Sequence, residues 1–229
     1  MMTFAQKVLQ FNQSLHIEKS ILPEGIGVMN PFQDPEVQKI TGLFYRKFFS
    51  DEEKRHLIIG INPGRFGGGV TGIPFTDPHK LKDECGIKVE NLSPPELSAD
   101  FMYKMIEDYG GPGKFYRKFF VSAVCPLGFV KKVNGKETNY NYYDSRELQD
   151  AVRDFVVETL KKQLEFGIHR DVCFCMGTGT NFDYVSELKK KYQFFQSIIP
   201  LDHPRFIMQY RRKKVNEYIA KYLEALGSC

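Results

Sequence analysis

The chain has 229 residues, 42% of them hydrophobic, with 32 Lys and Arg against 28 Asp and Glu for a formal net charge of +4. That length and apolar content suit one domain over 1–229 with a sizeable core, and no Pro/Gly/Ser-rich linker divides it. The mild positive charge permits an acidic partner without requiring one, and with no 18-residue apolar run neither secretion nor membrane spanning is expected; a cytoplasmic location is.

Taken in chain order, Phe4, Val8, Phe11 and Leu15 recur at helical spacing with polar residues between them, which predicts an amphipathic helix rather than an apolar leader. His56 to Ile61 is the first short apolar run and predicts a strand. Ser93-Pro94-Pro95-Glu96 then combines an N-cap Ser, Pro in the first turn and Glu three residues on. The helix it opens carries Leu97, Phe101, Met105 and Tyr109 and stops at Gly110-Gly111-Pro112-Gly113. Lys118 to Val124 is a second strand. Lys131 to Asn141 is polar, with an Asn134-Gly135 pair that predicts a hairpin or surface excursion.

Asp144 with Glu147 opens another helix bearing Leu148, Val152, Phe155 and Val156. Asp171 to Met176 and Phe195 to Leu201 are the third and fourth strands, and Val215, Tyr218, Ile219, Tyr222, Leu223 and Leu226 form one stripe of a final helix. Short apolar runs alternating with longer amphipathic ones predict an α/β fold. The expected form is a three-layer α/β/α sandwich around a four-stranded, mainly parallel sheet whose strands are buried on both faces.

The cysteines are Cys85, Cys125, Cys173, Cys175 and Cys229, an odd number without CxxC spacing, so buried reduced thiols are expected and neither a metal nor an iron–sulfur cluster. Two basic runs, Lys189 to Lys191 and Arg211 to Lys214, read by themselves as solvated helix faces first, with phosphate contacts as the alternative.

Ligands of open parallel sheets bind outside the carboxyl ends of the strands. There the first strand runs into a long Gly/Pro loop, Gly60 to Phe75, able to approach a ligand closely and present N–H groups to anionic oxygens. No Gly-Lys-Ser/Thr follows its glycines, so it is not a P-loop. The second strand ends in Ala123-Val124-Cys125-Pro126-Leu127. The third ends in Gly177-Thr178-Gly179-Thr180-Asn181, a candidate phosphate-binding turn before a helix, and the fourth in Asp202-His203-Pro204-Arg205. Each of these is an ordinary structural feature alone; their coincidence at one rim marks a site.

Gly60-Ile61-Asn62-Pro63-Gly64-x-Phe66-Gly67, continuing through Thr71-Gly72-Ile73-Pro74-Phe75, resembles the first motif of the single-strand-selective monofunctional uracil-DNA glycosylases, and His203-Pro204 resembles the start of their second. Met29-Asn30-Pro31, Phe120-Val121 before Cys125-Pro126-Leu127, and Phe166 to Val172 before Gly177 match the family in order and context, so the resemblance runs from about Met29 to the final helix and suggests a divergent bacterial branch. It implies a uracil-DNA glycosylase-like fold and a monomer without cofactor that flips a damaged base from single- or double-stranded DNA and hydrolyses its bond to the sugar.

By resemblance, Phe75 stacks on the flipped base, Ile61, Pro63 and Gly64 add loop contacts, His203 stabilises charge building on the pyrimidine O2, and Asn62 holds the attacking water. An amide orients water but is a poor base, so leaving-group departure is expected to come first. No lysine sits in either motif to act as a Schiff-base nucleophile, which implies an abasic product without strand cleavage. Where the family places an Asn to read the uracil edge, this chain has Ala123 beside Ser122, so base reading is expected from elsewhere and hypoxanthine and xanthine join uracil as candidate bases. Contacts to DNA are expected from Arg65, Gly177, Thr178, Gly179, Pro204, Arg205 and Phe206, with Arg205 or Phe206 filling the gap left by the flipped base. A catalytically inactive DNA-binding relative is the alternative; a small-molecule enzyme using the Gly-rich loop for a nucleotide ranks third, for want of a dinucleotide or Walker fingerprint.

Overall fold

The computed structural model describes residues 2–90 and 94–227. Helices α1 (Phe4–Ser14) and α2 (Pro35–Phe48) flank a short strand β1 (Ile26–Met29), and β2 (Arg55–Gly60) follows. The loop after β2 contains one helical turn, α3 (Gly68–Thr71), and leads through α4 (Pro78–Asp83), α5 (Leu97–Tyr109) and α6 (Pro112–Lys118) to β3 (Phe119–Ala123). A hairpin, β4 (Gly128–Val133) and β5 (Lys136–Tyr140), precedes α7 (Arg146–Ala151) and α8 (Arg153–Leu164). The chain closes with β6 (Ile168–Met176), α9 (Thr180–Tyr192), β7 (Ser197–Leu201), α10 (Pro204–Tyr210) and α11 (Val215–Leu226).

The four expected strands form one sheet in the order β3-β2-β6-β7, parallel at every pairing. Successive residues of a strand point to opposite faces, and the adjacent Phe119 and Phe120 show the layers this creates. Phe119 packs on Tyr109 of α5 and Phe115 of α6, while Phe120 packs on Phe4 of α1 and on Phe166 just after α8. The sheet is thus flanked by helices on both sides. Arg55, fully buried at the start of β2, is held by two bonds to Asp51 and lies over the rings of Phe4 and Phe49, so its charge is paired where it is desolvated.

Several expectations are corrected. Edge strand β7 is only partly buried, which also lets it carry Pro200, whose missing N–H a central strand would need. The sheet strand β6 begins at Ile168, ahead of Asp171. Ser93 lies outside the described residues, and α5 starts after Glu96, which makes no side-chain cap bond; Gly110 ends it at φ +112° as anticipated. Ser145, not Asp144, caps the helix after the hairpin, its hydroxyl accepting from Leu148 N–H, and a break at Val152 divides that helix in two. Asp144 instead accepts from the backbone and side-chain amides of Asn141.

The Asn134-Gly135 pair does turn a hairpin, with both residues at positive φ (50° and 76°), the twist a two-residue loop requires. β1 pairs antiparallel with β4, giving a second sheet, β1-β4-β5, that the sequence did not suggest. Cys85, Cys125, Cys173 and Cys175 are buried free thiols; Cys229 lies outside the described residues. Among the described residues no helix is long and apolar enough to cross a membrane.

Candidate active site

Parallel strands aim their carboxyl ends at one rim, and there a cleft of about 700 Å³ opens. Its floor is the end of β2 and β3: Gly60, Ile61, Ser122 and Ala123. The two strand ends stay locked beyond the ladder, because Val124 N–H donates to Gly60 O (3.0 Å) and Cys125 N–H to Ile61 O (3.1 Å).

One wall is the Gly/Pro loop. Phe75 stands on it with φ +53°, a left-handed conformation that an aromatic residue holds only where its surroundings enforce it. Part of that enforcement comes from Thr71, whose hydroxyl donates to Thr76 O (2.7 Å) and accepts from Ile73 N–H (3.1 Å), tying the loop across the bend. The Phe75 ring lies directly over Gly60: a Cβ there would sit 2.8 Å from two ring carbons, so glycine is what lets the ring reach the floor.

Asn62 is half-buried on the same loop. Its Oδ1 accepts Tyr142 N–H (3.0 Å), and its Nδ2 donates to the carbonyls of Pro63 (3.3 Å) and Tyr140 (3.4 Å). Backbone partners thus fix which way the amide faces, and Oδ1 keeps a lone pair for a further donor.

His203 caps α10. Its Nδ1 accepts Arg205 N–H (3.2 Å), which needs the Nδ1 lone pair and so places the ring proton on Nε2. Burial, helped by the neighbouring Arg205 charge, pulls its pKa down to about 4, and the ring stays neutral at physiological pH with Nε2–H as its free donor. Its ring centroid is 5.7 Å from that of Phe75, the planes inclined by 53°.

The structure gathers Ile61, Asn62, Pro63, Gly64, Arg65, Phe75, Ser122, Ala123, His203, Arg205 and Phe206 in the cleft. Pro204 is buried in the first turn of α10 rather than lining it. Gly177, Thr178 and Gly179 stand at the same rim, after β6 and before α9, but outside the cleft lining. Sequence reasoning missed the opposite wall, where the hairpin and the loop after it bring Glu137, Asn139, Asn141 and Tyr143. Asn139 Oδ1 accepts Arg65 N–H (3.0 Å), and the Arg65 side chain donates to Glu137 O, clasping loop and hairpin together. The Asn/Tyr-rich composition of that segment was its one visible signal.

Glu96 was missed as well. It enters the cleft from the start of α5 and packs against Gly67, where any Cβ would collide with its carboxylate. Burial, reinforced by Asp77, raises its pKa to about 7 against the opposing pull of Arg205. At the mouth, Phe206 and Tyr210 are exposed one turn apart on α10, ring centroids 5.7 Å apart, with the Arg211 guanidinium over Phe206.

The profile of the uracil DNA glycosylase superfamily matches residues 47–227, from the end of α2 through α11. The chain belongs to this superfamily. Within it, the chain is 30% identical over 151 residues to the single-strand selective monofunctional uracil-DNA glycosylase of Rattus norvegicus, covering 56% of this chain and 52% of that one. The Mus musculus counterpart is 28% identical over the same shares, so the chain spans about half the length of the curated relatives it matches. The crystal structure of wild-type Pedobacter heparinus SMUG2 is 49% identical and superimposes with a TM-score of 0.97, covering 100% of this chain and 98% of that one. The superfamily match includes both loops that carry Asn62 and His203.

Proposed function

We propose that the protein is a monofunctional DNA glycosylase that flips uracil, and other deaminated bases such as xanthine or hypoxanthine, into this cleft and hydrolyses the N-glycosidic bond, leaving an abasic site. The observation that carries the reading is the pairing of a neutral, Nε2–H-donating His203 with an Asn62 amide oriented by backbone bonds, both lining the cleft that holds the Phe75 ring. Superfamily membership supports the same chemistry.

The base stacks on Phe75. As the glycosidic bond lengthens, the base carries the electron pair away as an anion, and His203 Nε2–H donates to the oxygen on which that charge collects, an interaction stronger in the transition state than before it. Because its pKa is lowered by burial, His203 enters the reaction neutral and serves as a hydrogen-bond donor rather than as an acid. Asn62 Oδ1 accepts a hydrogen bond from a water and aims it at the oxocarbenium-like sugar carbon; as the C–O bond forms, the water's proton goes to the departed base anion, so no carboxylate base is required. Phe206, exposed with Tyr210 at the cleft mouth, suits filling the gap in the stack, and Arg65, Arg205 and the N–H groups of Thr178 and Gly179 suit backbone phosphates, Gly177 N–H being already given to Leu201 O.

The test is base release from end-labelled oligonucleotides carrying uracil, hypoxanthine or xanthine, single-stranded and duplex, with alkali added to reveal abasic sites. Asn62→Ala and His203→Ala are each expected to lower the single-turnover rate by roughly 10²–10³ while DNA binding persists. Binding without alkali-sensitive sites on any substrate would leave the inactive relative as the reading.

A further inference from the structure

At the end of the sheet away from the cleft, His56, His169 and Asp171 each bring a potential ligand atom to within 4.8 Å of the other two, the one such cluster among the described residues. His56 is the second residue of β2 and Gly60, in the cleft floor, is the last, so the cluster stands about 13 Å along the strand from the floor.

The three residues meet because the pairing of β2 with β6 is irregular. Arg55 pairs with Ile168 and Leu57 with Cys173, so His56 alone on β2 faces the four residues from His169 to Val172 on β6. The irregularity is pinned from the other edge: the Arg170 side chain donates to Phe194 O, Gln196 N–H to Arg170 O (2.8 Å), and the Ser197 hydroxyl to Asp171 O (2.9 Å). With Arg170 drawn that way, the side chains on either side of it are left for His56. The rings of His56 and His169 stack with centroids 4.3 Å apart and planes inclined by 17°, and His56 Nδ1 stands 3.6 Å from Asp171 Oδ1, too far for a hydrogen bond. His56 is 6% exposed, and its Nδ1 has no hydrogen-bond partner among the described residues, so a buried ring nitrogen faces a carboxylate without bonding to it.

We propose that His56, His169 and Asp171 bind a divalent transition-metal ion, zinc or one of its first-row neighbours, which fastens β2 to β6. Two imidazoles and a carboxylate are a donor set for such ions, and a water completes the four positions. In a tetrahedral zinc site with bonds of about 2.0–2.1 Å the ligand atoms stand about 3.3 Å apart. From separations of at most 4.8 Å the cluster closes by about 1.5 Å, movement that the exposed Asp171 and half-buried His169 can make while His56 stays fixed in the core. The His169 ring then tilts out of the stack, since a metal lies close to the plane of each imidazole that ligates it. The charge of Lys118 bears on His56 and opposes any cation there. That disfavours magnesium or calcium, which oxygen ligands hold by charge, and leaves coordinate bonds to nitrogen as the source of affinity.

The experiment takes the full chain, freed of any polyhistidine tag and stripped with chelator, and measures zinc uptake by equilibrium dialysis and melting temperature with and without zinc chloride. The expected result is one ion per wild-type chain and a melting temperature that rises with zinc and falls back with chelator, as for any ligand that binds only the folded state. Two variants leave the buried His56 in place: His169→Ala, and Asp171→Asn, which keeps the oxygen that accepts Val172 N–H (2.9 Å). Each should weaken binding by more than the roughly tenfold that even an outer partner of a metal site is worth. Cobalt in place of zinc should give the visible bands of a four-coordinate site without a thiolate charge-transfer band, which separates this cluster from the cysteines. Wild-type chain that takes up no zinc overturns the proposal; so does uptake that both variants retain in full, or a cobalt spectrum with thiolate ligation.

Discussion

At the level of single residues, the site depends on side chains that have no room to change. Gly60→Ala places a methyl 2.8 Å from two carbons of the Phe75 ring, and the ring has a left-handed backbone beneath it that cannot easily follow. The expected outcome is a loss of about 1–3 kcal/mol in denaturant unfolding together with slower base release; unaltered activity would show that the ring is not the stacking surface. Glu96 gives a pH signature. Its folded pKa is raised to about 7 from 4.5, so between those values the folded state holds a proton that the unfolded state releases. The fold therefore loses stability as pH rises through that window. Glu96→Gln is expected to melt at a temperature that varies less between pH 5 and 8 than the wild type's, and parallel curves would contradict the burial argument. His203 works the other way: its depressed pKa makes the neutral ring's stability contribution fully present above 6.5 and lost as pH falls towards 4.

At the level of elements, the hairpin of β4 and β5 is the feature that makes a cleft out of a loop rim. Its exposed Lys131, Lys132 and Lys136 flank the turn beside the wall that clasps Arg65. If the hairpin touches DNA, replacing all three by Gln should lower affinity for every sequence and reduce the slope of log affinity against log salt by up to about 0.9 for each phosphate no longer neutralised; an unchanged slope would place these lysines in solvent. The hairpin also shows what the sequence could disclose. Asn134-Gly135 announces the turn because few residue pairs tolerate two consecutive positive φ values. Parallel strands buried on both faces read as unbroken apolar runs, which is how β2 and β3 were legible. β1 was not: four half-buried residues around Gly27 pair only with a distant hairpin, and local pattern carries no trace of that. Nor was the break at Val152, since apolar spacing runs straight through it. In the site, the Gly/Pro loop and His203 were readable as motifs. Glu96, Asn139 and Tyr143 were not, because only tertiary folding carries them to the cleft.

At the level of the whole molecule, the layers are pinned through the site rather than around it. Tyr222 of α11 is buried against Phe101 of α5, and its hydroxyl donates to Asp202 O (2.5 Å), the carbonyl just before His203. Tyr222→Phe keeps the ring and deletes that bond; about 1 kcal/mol of stability and part of the catalytic rate are expected to go together, measured by chemical denaturation and single-turnover release. A stability loss with full activity would mean that the strand end holds its place without the bond.

The bond between Tyr142 N–H and Asn62 Oδ1 joins positions eighty residues apart. During synthesis the Gly/Pro loop leaves the ribosome long before the segment that aims its amide, and His203 comes later still. A nascent or prematurely ended chain can therefore carry the whole first motif before the bond that orients Asn62 is able to form.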